Sequence, residues 1–138
     1  MAAKKSDQAL VGEWREMLAL HARTLAELDR ALDPHGLGAS DFEVLDVLAE
    51  AAAGGGGACL RVQEIASRVH LSQSALSRLV ARLERDALVR RAMCSEDRRG
   101  VRVELTDAGR ARHAEAGPVQ RAVLSRMLNP PETEPVRN

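Results

Sequence analysis

Between Val69 and Ser72 the chain has only His70 and Leu71 in which to turn, and this constrains its fold more than any other feature. Before the turn, Val62, Ile65, Ala66 and Val69 recur at helical spacing and predict a short amphipathic helix over Val62–Val69. After it, Ala75, Leu76, Leu79, Val80 and Leu83 form a second apolar stripe along Ser72–Arg85. A link this short forces a tight corner. The small side chain of Ala66 lets the two helices cross closely, and Leu71 can plug the corner from below. Two short helices joined in this way form a helix-turn-helix. Such turns often carry Gly where this chain has His70, a residue that tolerates positive φ better than most.

The second helix has two unlike faces. Ser72 is placed to cap it, because its hydroxyl can accept from a free amide of the first turn. Gln73, Ser74, Ser77 and Arg78 project away from the apolar stripe, with Arg82 and Arg85 further along. Short hydrogen-bonding side chains at the start and arginines on the flank suit a helix that enters a DNA major groove. Ser72, Gln73, Ser74, Ser77 and Arg78 are the candidates for base edges, and Arg68 and Arg82 for phosphate. An ordinary surface helix with a solvated basic face is the plain alternative, and a capping role could occupy Ser72 fully.

The segments downstream sharpen the choice. Leu88–Cys94 and Gly100–Leu105 alternate apolar and polar residues, the period of half-buried strands, and Ser95–Gly100 between them is a polar turn with two adjacent arginines. A helix-turn-helix followed by a hairpin with a basic tip is a winged helix. Over Leu60–Arg110 the sequence resembles the multiple-antibiotic-resistance regulator (MarR) family. The matching segments are IASRVHLSQSALSRLVARLERDALVRR, EDRRGVRVELT and TDAGR. The resemblance implies that Asp97 orients neighbouring arginines, that Arg99 enters a minor groove and that Arg98 orients or meets phosphate. It also implies a repressor that binds a pseudo-palindromic operator as a homodimer and is released by a small aromatic or phenolic molecule. Most members have one more helix where this chain ends, so a dimer interface that is smaller, or that relies more on the N-terminal helix, is expected.

Composition agrees. The formal charge is zero overall, yet residues 60–102 hold ten Arg against Glu64, Glu84, Asp86, Glu96 and Asp97, a local +5. A neutral chain with a basic middle has one surface for a polyanion. With one Trp, one Phe and no Tyr, the core must be built from Leu, Val and Ala, which favours helices. The expected fold is mainly α with a small antiparallel β-hairpin. It is one domain over 9–128, with the winged helix at 59–105, dimerisation helices at 9–32 and 106–128, and disordered tails at 1–8 and 129–138. No apolar run approaches the ~18 residues of a membrane span, and no signal-peptide pattern opens the chain. A cytoplasmic protein follows, with Cys59 and Cys94 as thiols.

In the flanking helices, Val11, Trp14, Leu18, His21, Leu25, Leu28 and Leu32 form a heptad seam suited to a second copy. Ser40-x-x-Glu43 predicts a capping box opening a helix over Asp41–Ala53. The glycines after Ala53 form a connector, and Cys59–Arg61 can add a short strand at the base of the wing. Thr106 and Asp107 suit the start of the last helix, which Gly117-Pro118 should kink or interrupt. An effector pocket could draw on Trp14, Met17, His21, Phe42 and Asp46, although core packing accounts as well for Trp14 and Phe42, and a hydrogen-bonded core role for His21. Cys94, near several arginines, could act as a thiol switch, or serve simply as a small strand residue. Zinc is weakly supported, since Cys59, His70, Cys94 and His113 lack close ligand spacing. No cofactor is implied. With no phosphate loop, nucleophile elbow or HExxH, an enzyme is disfavoured. A winged helix used only for protein contacts is the remaining rival, and the +5 segment argues against it.

Overall fold

In the computed structural model, residues 4–54, 59–92 and 101–129 are described. Five helices surround a small sheet. Helix α1 spans Asp7–Leu32 and α2 spans Ala39–Ala53. Strand β1 (Cys59–Arg61) leads into α3 (Val62–Val69) and α4 (Gln73–Arg85). Strands β2 (Val89–Ala92) and β3 (Arg102–Leu105) then precede α5 (Asp107–Leu128). The fold is therefore mainly α with a small antiparallel sheet, the winged-helix arrangement expected.

Helix α1 starts two residues before Ala9, because the Ser6 hydroxyl accepts from Ala9 N at 3.1 Å. It ends in a single 3-10 turn over Asp33–His35, and Gly36 reverses the chain at φ 71°. Helix α2 opens differently from the expected Ser40–Glu43 box. Gly38 N donates to Asp41 Oδ2 at 2.7 Å, and Ala39 N donates to Asp29 Oδ1 at 2.8 Å. The helix therefore begins at Ala39, with Asp41 as the carboxylate that reaches back. Glu43 is instead drawn toward α5, where Gln120 Nε2 donates to its Oε1 at 3.0 Å.

The tight corner forms as expected. His70 takes the left-handed conformation at φ 57°, and its N–H donates to Ala66 O at 3.1 Å. Ser72 Oγ accepts from Ala75 N at 3.2 Å and caps α4. Ala66 and Leu71 are half-buried against the core. Leu76, Leu79, Val80 and Leu83 of α4 are buried, as the stripe predicts.

The sheet has strand order β1-β3-β2, antiparallel throughout, with Leu60 opposite Val103 and Arg91 also opposite Val103. The Cys59–Arg61 segment thus supplies the third strand. Cys59 is disulfide-bonded, which corrects its expected thiol state. The compartment argument behind that expectation concerns where disulfides persist in general and is blind to local pairing. Cys94, the chain's other cysteine, lies outside the described residues, as do the glycine connector and the 130–138 segment.

Helix α5 is continuous through Pro118, so of the expected kink or interruption the interruption does not occur. Proline removes one amide donor, and burial of Ala116, Gln120 and Val123 on either side holds the helix together. It packs along α1 and α2. The core lies between α2, α4 and the sheet, where Phe42, Leu45, Leu48, Ile65, Val80 and Val103 are fully enclosed. Of the α1 seam, only Leu28 and Leu32 reach that core, whereas Val11, Trp14, Leu18 and Leu25 stay exposed. No helix among the described residues is long and apolar enough to cross a membrane.

Candidate nucleic-acid interface

Burial of its apolar stripe fixes which side of α4 faces outward. Ser72, Gln73, Ser74, Ser77 and Arg78 are all exposed, so the five base-edge candidates form one surface. Ser72 is partly committed, because its hydroxyl caps the helix and lies 3.4 Å from Ser74 Oγ. Gln73, Ser77 and Arg78 keep their polar groups open to solvent.

The cations around this face differ in their partners. Arg90 pairs with Glu104 at 2.6 Å and Arg91 with Glu84 at 3.4 Å. Arg82, a phosphate candidate, is bound to Asp41 of α2 through Nη2 and Oδ1. Arg68, Arg78 and Arg85 are exposed, and none holds an ion pair among the described residues. Arg68 and Arg85 flank the polar face, of which Arg78 is part, with uncompensated charge, as a phosphate-binding rim requires. Beside them a groove of about 300 Å³ is lined by Ser40, Leu71, Ala75, Arg78, Leu79 and Arg82. The wing-tip candidates Asp97, Arg98 and Arg99 lie outside the described residues.

The five effector candidates do not form one pocket. Trp14, Met17 and His21 lie on the exposed side of α1, and Trp14 is 57% exposed rather than packed in the core. Met17 and His21 border an apolar groove of about 330 Å³ with Leu20, Thr24, Leu25 and Leu128. The Thr24 hydroxyl there is buried without a hydrogen-bond partner. Phe42 and Asp46 belong to a separate cluster between α2 and α5. The His113 ring stacks on Phe42 at 5.4 Å between centroids, and its Nε2 lies 2.7 Å from Asp46 Oδ1. Arg121 Nη2 donates to both Asp46 oxygens, at 3.1 and 3.2 Å, and its guanidinium sits 5.7 Å from the Phe42 centroid. Trp14 lies on the heptad seam of α1, but of the two aromatic candidates only Phe42 faces this chain's own core.

Gln120 and Arg121 of that cluster are not singled out by the sequence reading, and His113 enters it only as a zinc option. His113, Gln120 and Arg121 recur at helical spacing along α5 and make a polar stripe facing α2, a signal that periodicity could have revealed. Burial of Glu43, followed by its proximity to Asp46, raises the pKa of its carboxyl above the ordinary range, against the opposing pull of Arg121 and the Gln120 hydrogen bond. No group of three metal-ligating side chains forms among the described residues.

Comparison with known proteins adds independent support. A family model described as "MarR family" matches residues 35–100. The chain is 27% identical to the HTH-type transcriptional repressor MdtR of Bacillus subtilis (strain 168), over 91% of this chain and 77% of that one. It is 30% identical to AbsC, a MarR family transcriptional regulator from Streptomyces coelicolor. Its structure superposes with a TM-score of 0.77 over 93% of this chain and 83% of that one. Sco3205, a MarR family regulator of the same organism solved in complex with DNA, gives a TM-score of 0.79 at 27% identity. That match covers 96% of this chain and 81% of the relative.

Proposed function

The chain belongs to the MarR family of transcriptional regulators, and from that premise we propose that it is a cytoplasmic repressor that binds a pseudo-palindromic operator as a homodimer. One observation carries the reading: the outward face of α4 presents Gln73, Ser74, Ser77 and Arg78 together, with Arg68 and Arg85 unpaired around it among the described residues. Gln reads adenine and Arg reads guanine in bidentate geometry, while the flanking guanidinium groups neutralise phosphate. Sco3205 was solved on DNA, which supports the same use of the fold here.

One short reading helix discriminates little, so two copies on a twofold axis reading half-sites one turn apart supply the specificity. The exposed apolar side chains of α1 favour such a pairing. Relief by a small aromatic molecule is the remaining part of the reading. The groove bordered by Met17, His21 and the unpaired Thr24 hydroxyl supports it, being apolar with a single buried polar group. Arg99 is proposed to enter the minor groove, with Asp97 orienting the neighbouring arginines and Arg98 orienting or meeting phosphate, and Cys94 is proposed as a redox input to the wing.

Selection of bound duplexes from random DNA, followed by gel shifts at two salt concentrations, tests the proposal. A recovered palindrome and a steep fall in affinity with salt are expected. Failure to enrich any sequence, with little salt dependence, would point instead to a winged helix that serves protein contacts.

A further inference from the structure

The ion pair between α2 and α4 has a form that suggests more than structural support. Asp41 lies in the first turn of α2 and is only 6% exposed. Its Oδ2 is fixed by Gly38 N at 2.7 Å, and its Oδ1 accepts from Arg82 Nη2. The carboxylate therefore cannot turn away from the arginine without uncapping α2. Arg82, by contrast, keeps 53% of its side chain in solvent and lines the groove shared with Ser40 and Arg78. Arg78 stands one helical turn before it on the same flank of α4.

We propose that Asp41 is a positioning residue for DNA binding, holding the Arg82 guanidinium in place against DNA backbone phosphate while the neighbouring Arg78 reaches the adjoining base edge. The proposal rests on the DNA-binding reading above. A guanidinium carries five N–H donors in a rigid plane, so a bond to Asp41 leaves donors on its open side. A free arginine must give up its rotamer freedom when it meets a phosphate, whereas one already tethered by a carboxylate has lost much of it on folding. Asp41 also offsets the repulsion between the two neighbouring cations. Its own charge is set back behind Arg82, so an approaching phosphate meets the guanidinium first. Were the pair only a structural staple, an exposed arginine of this kind would contribute little to stability.

The test uses the full chain and a duplex recovered by the selection described above. Affinity is measured by fluorescence anisotropy at two salt concentrations for the parent, Asp41→Asn, Arg82→Ala, the double variant and Arg82→Lys, with thermal unfolding followed in parallel. Asparagine keeps an acceptor for Gly38 N but loses the charge that holds Arg82. Asp41→Asn is expected to bind roughly three- to tenfold more weakly, and to have no further effect in the Arg82→Ala background. Arg82→Lys should lose as much as Arg82→Ala, because an ammonium cannot bridge carboxylate and phosphate in one plane. Equal or tighter binding by Asp41→Asn overturns the proposal, as does a loss that persists undiminished without Arg82. If Asp41→Asn fails to fold, Arg82→Lys decides alone, and parent-like binding by it is the overturning result. A parent that selects no duplex overturns the DNA-binding reading itself, a distinct outcome from a parent that binds while its variants match it.

Discussion

Gly109 of α5 lies so close to Leu88 that a β-carbon built on it would stand 1.9 Å from the Leu88 carbonyl oxygen. The same oxygen accepts from Thr106 N at 3.1 Å, and the Thr106 hydroxyl donates to Ala87 O at 2.6 Å while accepting from Gly109 N at 3.0 Å. The Thr-Asp-Ala-Gly segment is thus both a helix cap and the joint where α5 meets the end of α4. Gly109→Ala should force that joint apart and destabilise the fold by about 3 kcal/mol or more. Thermal unfolding would check it; a variant as stable as the parent would contradict the close approach.

Ala87 carries strain that can be relieved. It sits at φ 62°, with Ala87 N donating to Glu84 O and Leu88 N donating to Leu83 O, the paired bonds that close a helix through a left-handed residue. An alanine there costs about 1 kcal/mol relative to glycine. Ala87→Gly is expected to recover most of that and to raise the unfolding temperature by a few degrees. A lowered unfolding temperature would show that chain entropy outweighs the strain.

These two positions also indicate what local pattern conveys. The Ser72 cap, the His70 turn and the apolar stripes of α3 and α4 all arise within a few residues, so spacing and residue type suffice to place them. Thr106 was legible for the same reason. The Arg82–Asp41 pair spans 41 residues, His113–Asp46 spans 67 and Arg121–Asp46 spans 75, and no local rule joins such partners. For that reason the sequence assigns Arg82 to phosphate with no sign of its Asp41 partner, and groups Asp46 with Trp14 although it lies in a separate cluster. The seam of α1 was visible as a period, but period alone does not say whether this chain or another covers it. Only the fold shows that its N-terminal half is left bare.

The open face of α4 divides into residues that read bases and residues that hold the backbone. Gln73 is exposed in the first turn, while Arg68 is an unpaired cation, among the described residues, near the end of α3. Gln73→Ala should weaken binding to the selected operator by about 1–3 kcal/mol and leave random DNA nearly unaffected. Arg68→Ala should weaken both alike and reduce the salt slope by about one. Titrations of both duplexes at several salt concentrations separate the two roles. Equal losses on both duplexes for Gln73→Ala would remove it from base reading.

Glu43 supplies a pH-dependent signature. Its carboxyl is raised above the ordinary carboxylate value of 4.5, first by burial and then by Asp46. The folded state therefore holds this proton more tightly than the unfolded chain does. For this group stability is greatest below the unfolded value and declines as pH rises toward the folded one. Glu43→Gln, which keeps an acceptor for Gln120, should be more stable than the parent at pH 7. The advantage should vanish below about pH 4.5. Denaturant titrations across that range test it, and a gain independent of pH would assign the effect to packing.

The bare half of the α1 seam makes the strongest demand on a second copy. Leu10, Val11, Trp14, Met17, Leu18 and Leu25 are each at least 40% exposed on one helix, an apolar stripe that a monomer would leave in water. Leu18 lies at its middle and reaches no part of the chain's own core. Leu18→Glu should therefore abolish pairing while leaving the winged helix folded, because a carboxylate at the centre of an apolar interface is desolvated without a partner. Sedimentation should show a dimer for the parent and a monomer for the variant at the same concentration. Trp14, the chain's one tryptophan, offers a second readout. Its emission should shift to longer wavelength as the parent is diluted and should be shifted already in Leu18→Glu. A parent that sediments as a monomer at every concentration would exclude the twofold reading and leave the stripe for a different partner.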